Sequence, residues 1–234
     1  MQHITPYPIW ESLNSLSKLE EKDQVILFTD VKSSSKLWKL HETGMFAALE
    51  EHETRMEKFV DKWDGEIIKT IGDSYMLGFD GKNSLLRSVQ AAYEIQKDIT
   101  DNPIKIKNEA LSIRLGIHRG SLYKKKVRIQ GKMLMDYFGN TVNTASRMES
   151  VVSDPGSIAF SYSIDLPKAE EVELKEWIED MKLDMQIFDY QHQCYSGKRN
   201  RSGRLLSELQ LHTCEPLDDL KGVAKVTAYK LNLK

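Results

Sequence analysis

The sequence predicts an α+β fold, a ferredoxin-like antiparallel sheet with helices on one face. Three observations predict it. Short apolar runs with strand character occur at Val25–Thr29, Ile67–Ile71, Tyr75–Phe79 and Leu111–His118. The middle two are joined only by Gly72–Asp73, the signature of a tight hairpin. Long patterns of helical period fill the gaps on either side of that hairpin, so the order reads β-α-β-β-α-β.

Each element has its own justification. Residues 1–23 read as a polar lead-in, and residues 24–234 as the domain itself. "VILFT" is a continuous buried-strand run that ends at Asp30. "SSSKLW" supplies serines suited to a helix start, and helical periodicity then places Leu40, Met45, Leu49, Met56 and Phe59 near one side up to Trp63. Asp64–Gly65 is a turn before the hairpin. Asn83 suits the cap of a second helix that carries Leu86, Val89, Tyr93 and Ile95 and stops before Pro103. "LSIRLGIH" alternates as a strand, followed by a basic strand-like arm, "SLYKKKVRIQGKML". "GNTVNTASRMESVV" reads as a helix, "PGSIAFS" as a turn and strand, and about Lys168 to Gln193 as a charged helical region. "LKGVAKVTAYKLN" reads as a closing hairpin.

Composition narrows the function classes. The chain has 234 residues, 40% of them apolar and 29% charged, which is ordinary for a globular protein. A formal net charge of −2 gives no global field for nucleic acid or an anionic membrane. No apolar run approaches the roughly 20 residues that span a bilayer. "MQHITPYPIW" lacks the basic-then-apolar order of a signal peptide. Two cysteines, Cys194 and Cys214, fit a reducing compartment without requiring a bridge. The expectation is a cytoplasmic protein with no nucleic-acid or membrane partner.

Two acids draw attention. Asp30 closes the first strand and Asp73 sits in the hairpin turn. The predicted topology makes those strands neighbours, about 4.8 Å apart. Two close carboxylates repel unless a proton or a cation intervenes. Divalent cations with hard oxygen ligands and a phosphate resolve the conflict. On the residues alone, Asp30 and Asp73 remain open between ligands and ordinary strand-exit and turn residues. Ser33, Ser34 and Ser35 lie where a helix N-terminus presents free N–H groups to an anion, and ordinary capping is the competing reading. Asn143 and Arg147 stand at i and i+4, so they share a helix face that Ser150 extends. Together they can donate to an oxyanion or phosphate. The alternative is a solvated face with Arg147 paired to Glu149 or Glu51.

Four blocks carry a family resemblance: "VILFTDVKSSSKLW", "GEIIKTIGDSYMLGF", "IRLGIHRG" and "DYFGNTVNTASRMES". In order and spacing they resemble the catalytic domain of class III nucleotidyl cyclases, the adenylate and guanylate cyclases, over about Val25 to Ser161. The resemblance implies a head-to-tail homodimer with active sites in the interface and two Mg²⁺ or Mn²⁺ ions per site. It implies metal ligation by Asp30, Asp73 and the carbonyl of Val31. Asn143 matches the asparagine that orients the ribose, and Arg147 the arginine on the α-phosphate. Lys221 matches the lysine on the terminal phosphates. The implied substrate is a nucleoside triphosphate, whose ribose 3′-oxygen attacks the α-phosphorus.

Lys69 and Asp136 match the family's base-reading positions in the adenylate pattern, where guanylate cyclases usually carry Glu and Cys. The chemistry agrees, since a carboxylate accepts from adenine N6 and an ammonium donates to N1. The implied reaction is ATP to cyclic AMP and pyrophosphate. Cytosine repeats the same edge on a smaller ring, so a pyrimidine cyclase is the in-class alternative. Compact cyclases resembling this chain occur in bacterial antiphage systems that make cyclic CMP or cyclic UMP. A catalytically silent nucleotide- or partner-binding module is the alternative from another class, and retention of all the matched residues argues against it. The acid-rich hairpin of diguanylate cyclases is absent. The chain departs from the family at about residues 164–216, where an insertion carries Trp177, Met181, Met185 and Phe188 at helical spacing. That insertion precedes Lys221, and with it a basic loop, "YSGKRNRSGR".

Overall fold

The computed structural model describes residues 20–189, 194–196 and 227–233. Strand β1 (Glu20–Val31) leads through helix α1 (Ser34–Lys62) to the hairpin β2 (Glu66–Ile71) and β3 (Ser74–Phe79). Helix α2 (Ser84–Asp101) and a small ribbon, β4 (Lys105–Ile106) with β5 (Glu109–Ala110), precede β6 (Ile113–Ile129) and β7 (Lys132–Phe138). Then come α3 (Asn140–Arg147), a π-helical turn (Met148–Val152), β8 (Ser157–Tyr162) and α4 (Lys168–Asp180). Strands β9 (Asp184–Asp189), β10 (Cys194–Ser196) and β11 (Ala228–Asn232) complete the described chain.

The four central strands lie in the order β6-β1-β3-β2, which is the ferredoxin-like order. β1 is antiparallel to both neighbours, with Thr29 opposite Tyr75 on one side and Asp30 opposite Arg114 on the other. Side chains alternate across the sheet. Val25, Leu27, Leu77 and Phe79 face one layer, where they pack with Met45 and Met56 of α1 and Val89 and Ile95 of α2. Ile26, Phe28 and Met76 face the other layer and pack with Tyr137 of β7 and Ala145 of α3. The helices therefore do not all share one face. α3 and β7 cover the second face.

Several element expectations need correction. β1 begins at Glu20, inside the expected lead-in, because Glu20–Gln24 pair with Lys124–Gly120 of the long β6. The expected strand at "LSIRLGIH" and the basic arm are one strand, β6, whose far end forms a hairpin with β7. The sheet is mixed, since β8 joins β6 in parallel. α1 breaks at His41, whose φ is −149°, so Leu40 leaves the buried stripe and is 52% exposed. The helical region expected to reach Gln193 stops at Asp180. Lys182 adopts a left-handed φ of 53°, and Met181, Lys182 and Leu183 turn their N–H groups back onto Trp177, Glu179 and Ile178 carbonyls. Met185 and Phe188 then lie on β9, which pairs with β11. Among the described residues, no helix is long and apolar enough to cross a membrane.

Candidate active site

The β2–β3 hairpin places the first acids. Ile71 pairs with Ser74 across a two-residue turn, and Gly72 takes the left-handed φ of 64° that the turn requires. Asp30 leaves β1 on the face shared with Ile26 and Phe28. Its Oδ1 accepts from the Ser74 hydroxyl at 2.8 Å, and its Oδ2 is paired with Arg114 Nη2. Asp30 thus meets the hairpin through Ser74, one residue beyond Asp73. Asp73 Oδ2 is buried without a hydrogen-bond partner among the described residues. Asp73 lines a cavity of about 260 Å³ between the hairpin and α1, together with Glu50, Glu53 and Tyr75.

The donor set fits a divalent cation in its chemistry. Asp30 and Asp73 supply carboxylate oxygens, the Val31 carbonyl adds another hard oxygen, and the orphaned buried oxygen of Asp73 wants positive charge. No group of three or more His, Cys, Asp or Glu among the described residues converges to hold a metal by itself.

Arg114 is a functional candidate that sequence reasoning missed. Its Nε lies 3.0 Å from Glu149 Oε1, while its Nη2 holds Asp30. Glu149 is buried, and that burial pushes its carboxyl up to about 7; Arg114 opposes the rise and Asp30 adds to it. The π-helical turn delivers Glu149 there. A Cβ on Gly116 would come within 1.9 Å of the Glu149 nitrogen, so only glycine on β6 admits that turn so closely. The signal for Arg114 was its register opposite Asp30, which needs the β1–β6 pairing to be known.

Asn143 and Arg147 are both exposed on α3, with Ser150 beyond them. Neither side chain has a partner among the described residues, because Glu51 pairs with Arg55 and Glu149 with Arg114. The proposed pairing of Arg147 with either acid is therefore corrected. Ser33 sits in a left-handed conformation, φ 60°, before α1 and caps it with its carbonyl rather than its hydroxyl. The hydroxyls of Ser33, Ser34 and Ser35 have no hydrogen-bond partner among the described residues, so side-chain capping does not occupy this helix start.

Lys69 and Asp136 come together. Lys69 Nζ donates to Asp136 Oδ1 at 2.6 Å across a cavity of about 390 Å³ between β2 and β7. Ile67, Ile68, Val127, Leu134 and Met135 give the cavity apolar walls. Glu66 and Tyr137 add polar groups to the lining. The Tyr137 hydroxyl donates to Glu66 at 2.6 Å, and burial followed by that bond raises its pKa. Lys221 and the basic residues of "YSGKRNRSGR" lie outside the described residues.

The described residues carry parts that suit phosphoryl transfer: a buried Asp73 oxygen without a partner, anion donors exposed on a helix face, and an apolar-walled cavity with polar groups in its lining. Comparisons with known proteins agree. The family profile described as the adenylate and guanylate cyclase catalytic domain matches residues 17–195. An adenylate cyclase of Podospora anserina is 31% identical over 151 residues, covering 58% of this chain and 7% of that protein. One from Lachancea kluyveri is 33% identical over 151 residues, again 58% of this chain and 8% of the other. The chain thus spans only a small part of the curated relatives it matches. Among solved structures, the catalytic core of a rhodopsin-guanylyl cyclase with converted specificity, in complex with ATPalphaS, superposes with a TM-score of 0.65 at 22% identity, covering 93% of this chain and 100% of that one. The adenylyl cyclase CyaB from P. aeruginosa superposes at 0.62 and 19% identity, covering 92% and 96%. These likenesses establish the fold.

Proposed function

The chain belongs to the adenylate and guanylate cyclase catalytic domain family, and from that premise we propose that it converts ATP to 3′,5′-cyclic AMP and pyrophosphate. The single observation that carries the choice of base is the Lys69–Asp136 pair in an apolar-walled cavity. An ammonium and a carboxylate side by side complement adenine, where N1 accepts and N6 donates. Guanine presents the reverse order on that edge. The adenylate cyclase names of the relatives at about 30% identity point the same way.

In this reading the ribose 3′-oxygen attacks the α-phosphorus as its proton leaves to solvent. The bond from the α-phosphorus to the bridging oxygen breaks, and pyrophosphate departs with that electron pair. Asn143 orients the ribose, and Arg147 neutralises charge growing on the α-phosphate. Asp30, Asp73 and the Val31 carbonyl would hold Mg²⁺ or Mn²⁺. When bound, two such ions lower the pKa of the 3′-hydroxyl and screen the triphosphate. Ser33, Ser34 and Ser35 and the free N–H groups of the α1 start receive phosphate oxygens. Lys221 is proposed for the terminal phosphates.

The working unit is a head-to-tail homodimer. Asn143 and Arg147 are exposed and without a partner among the described residues, as expected of residues that reach a substrate held on a neighbour's acids. Ile71, Met133, Leu134, Met135 and Phe138 are also exposed, leaving an apolar margin along the hairpin and β7.

The test is incubation of the purified protein with each of the four ribonucleoside triphosphates and Mn²⁺, with products identified by mass. Cyclic AMP as the main product is expected. Cyclic CMP or cyclic UMP would replace ATP by a pyrimidine substrate, and no cyclic product from any triphosphate would leave a silent binding module.

A further inference from the structure

The base cavity holds a second carboxylate that no family position assigned. β2 is irregular between Ile67 and Lys69: Ile67 pairs with Leu77 and Lys69 with Met76, so Ile68 is an extra residue. In a regular strand, residues three apart face opposite sides. The bulge cancels one alternation and turns Glu66 and Lys69 to the same side. Both line the cavity with Asp136.

The two carboxylates are pinned in the same way. Every described contact of Glu66 falls on Oε1, which accepts from the Tyr137 hydroxyl at 2.6 Å and Gln24 Nε2 at 3.0 Å, with Lys124 Nζ at 3.6 Å. Asp136 Oδ1 accepts from Lys69 Nζ at 2.6 Å and from the Tyr137 backbone N–H at 2.9 Å. Glu66 Oε2 and Asp136 Oδ2 have no hydrogen-bond partner among the described residues. The cavity lining therefore carries two carboxylate oxygens without a partner among the described residues and one ammonium, Lys69, while Lys124 approaches Glu66 from its Oε1 side. An exocyclic amine carries two N–H groups. A carbonyl at that position carries none and would meet two negative oxygens instead.

We propose that Glu66 is a further specificity-determining residue, which together with Asp136 selects a base bearing an exocyclic amine and rejects one bearing an oxo group. Tyr137 and Gln24 position it by fixing Oε1. This rests on the cyclase reading, yet concerns a different choice from Lys69: amino bases (adenine, cytosine) against oxo bases (guanine, uracil), whatever the ring size. Rejection comes from unpaired, like-charged acceptors, a stronger discriminator than a missing apolar contact.

Glu66→Gln tests it, because the amide oxygen still accepts from Tyr137 while its NH₂ replaces the open acceptor with a donor. An equimolar mixture of the four triphosphates is turned over with Mn²⁺. The ratio of amino-base to oxo-base cyclic products then reports relative kcat/KM in one tube, independent of how much enzyme is folded. The wild type should favour amino bases, and Glu66→Gln should lower that ratio by about tenfold or more. Tyr137→Phe, which keeps both carboxylates, should change it less. A ratio unchanged by Glu66→Gln, with all rates lowered together, makes Glu66 structural and overturns the proposal; so does a wild type with no amino-base preference. Binding of fluorescent 2′/3′-anthraniloyl triphosphates is measured in parallel. If no product forms at all, the cyclase reading fails, while an amino-base binding preference lost in Glu66→Gln still upholds this one. Equal binding of all four bases overturns it.

Discussion

Lys69 Nζ lies 2.6 Å from Asp136 Oδ1, joining the edge strand β2 to β7 over an open cavity. Their side chains are 40% and 24% exposed. An ion pair that wet contributes under about 1 kcal/mol to stability. Its geometry is therefore better explained by recognition than by folding. Lys69→Ala should shift the urea midpoint little, yet lower kcat/KM for ATP by tenfold or more. Lys69→Glu combined with Asp136→Cys should move preference from ATP to GTP. A large stability loss with ATP kinetics intact would reverse this assignment.

Asp30 and Arg147 sit in different settings: one is held by Ser74 and Arg114, the other is exposed on α3 with no partner among the described residues. If each site draws acids from one protomer and Arg147 from the other, Asp30→Ala and Arg147→Ala should each be inactive as homodimers. Mixed and allowed to exchange, half the dimers are hybrid, and each hybrid has one intact site. About a quarter of wild-type activity should return. No recovery, with exchange demonstrated by tagged subunits, would rule out the shared site.

Local pattern carried the central fold. Val25, Leu27, Leu77 and Phe79 alternate in strands short enough to read directly, and Gly72–Asp73 marks its own turn. What escaped depended on partners distant in sequence. Trp177, Met181, Met185 and Phe188 satisfy a helical spacing, but Met185 and Phe188 are claimed by β11, which begins at Ala228. Glu66 joined Lys69 only through a bulge, a register slip that no local composition announces. Arg114 looked like an ordinary strand residue until the register set it opposite Asp30. Asp30 and Asp73 were legible as candidates, whereas the contact of Asp30 with Ser74 rather than Asp73 was not.

Glu170 ties the chain's later half to the first. Its Oε2 meets Arg119 Nη1 at 2.7 Å, and its Oε1 accepts the Leu85 N–H at 2.8 Å and the Leu86 N–H at 3.3 Å. It thus caps α2, a role that Asn83 was expected to fill; Asn83 instead donates to Glu173. Both charges are buried, with side chains 2% and 8% exposed. Removing one member strands the other away from water, although Asp23 also holds Arg119. Glu170→Ala should cost about 3–5 kcal/mol in urea unfolding, and Glu170→Gln clearly less. A cost below 1 kcal/mol for the alanine variant would show that Asp23 suffices.

His52 is 1% exposed on α1, and neither ring nitrogen has a hydrogen-bond partner among the described residues. Burial, with Arg55 adding to it, lowers its pKa to about 4; burial lowers that of His118 to about 3 against a smaller upward push from Ser161. An unfolded histidine takes its proton near 6.5. Between that value and the folded ones, the unfolded chain binds protons that the folded chain refuses. The stability that these two histidines contribute is then complete above about pH 6.5 and is lost as pH falls, by roughly 1.4 kcal/mol per unit for each. His52→Leu removes one of the two. Relief of unpaired nitrogens, worth about 1–3 kcal/mol, outweighs the lost edge contact with Tyr75, worth about 0.5–1.5. The variant should therefore be more stable at pH 7.5, and its stability should fall less steeply with acid than the wild type's, by about 1.4 kcal/mol per pH unit between pH 6 and 4.5, a difference that the opposing contribution of Glu149 does not alter. Urea midpoints across that range decide it: an unchanged slope would mean that His52 is protonated in the fold or already satisfied there.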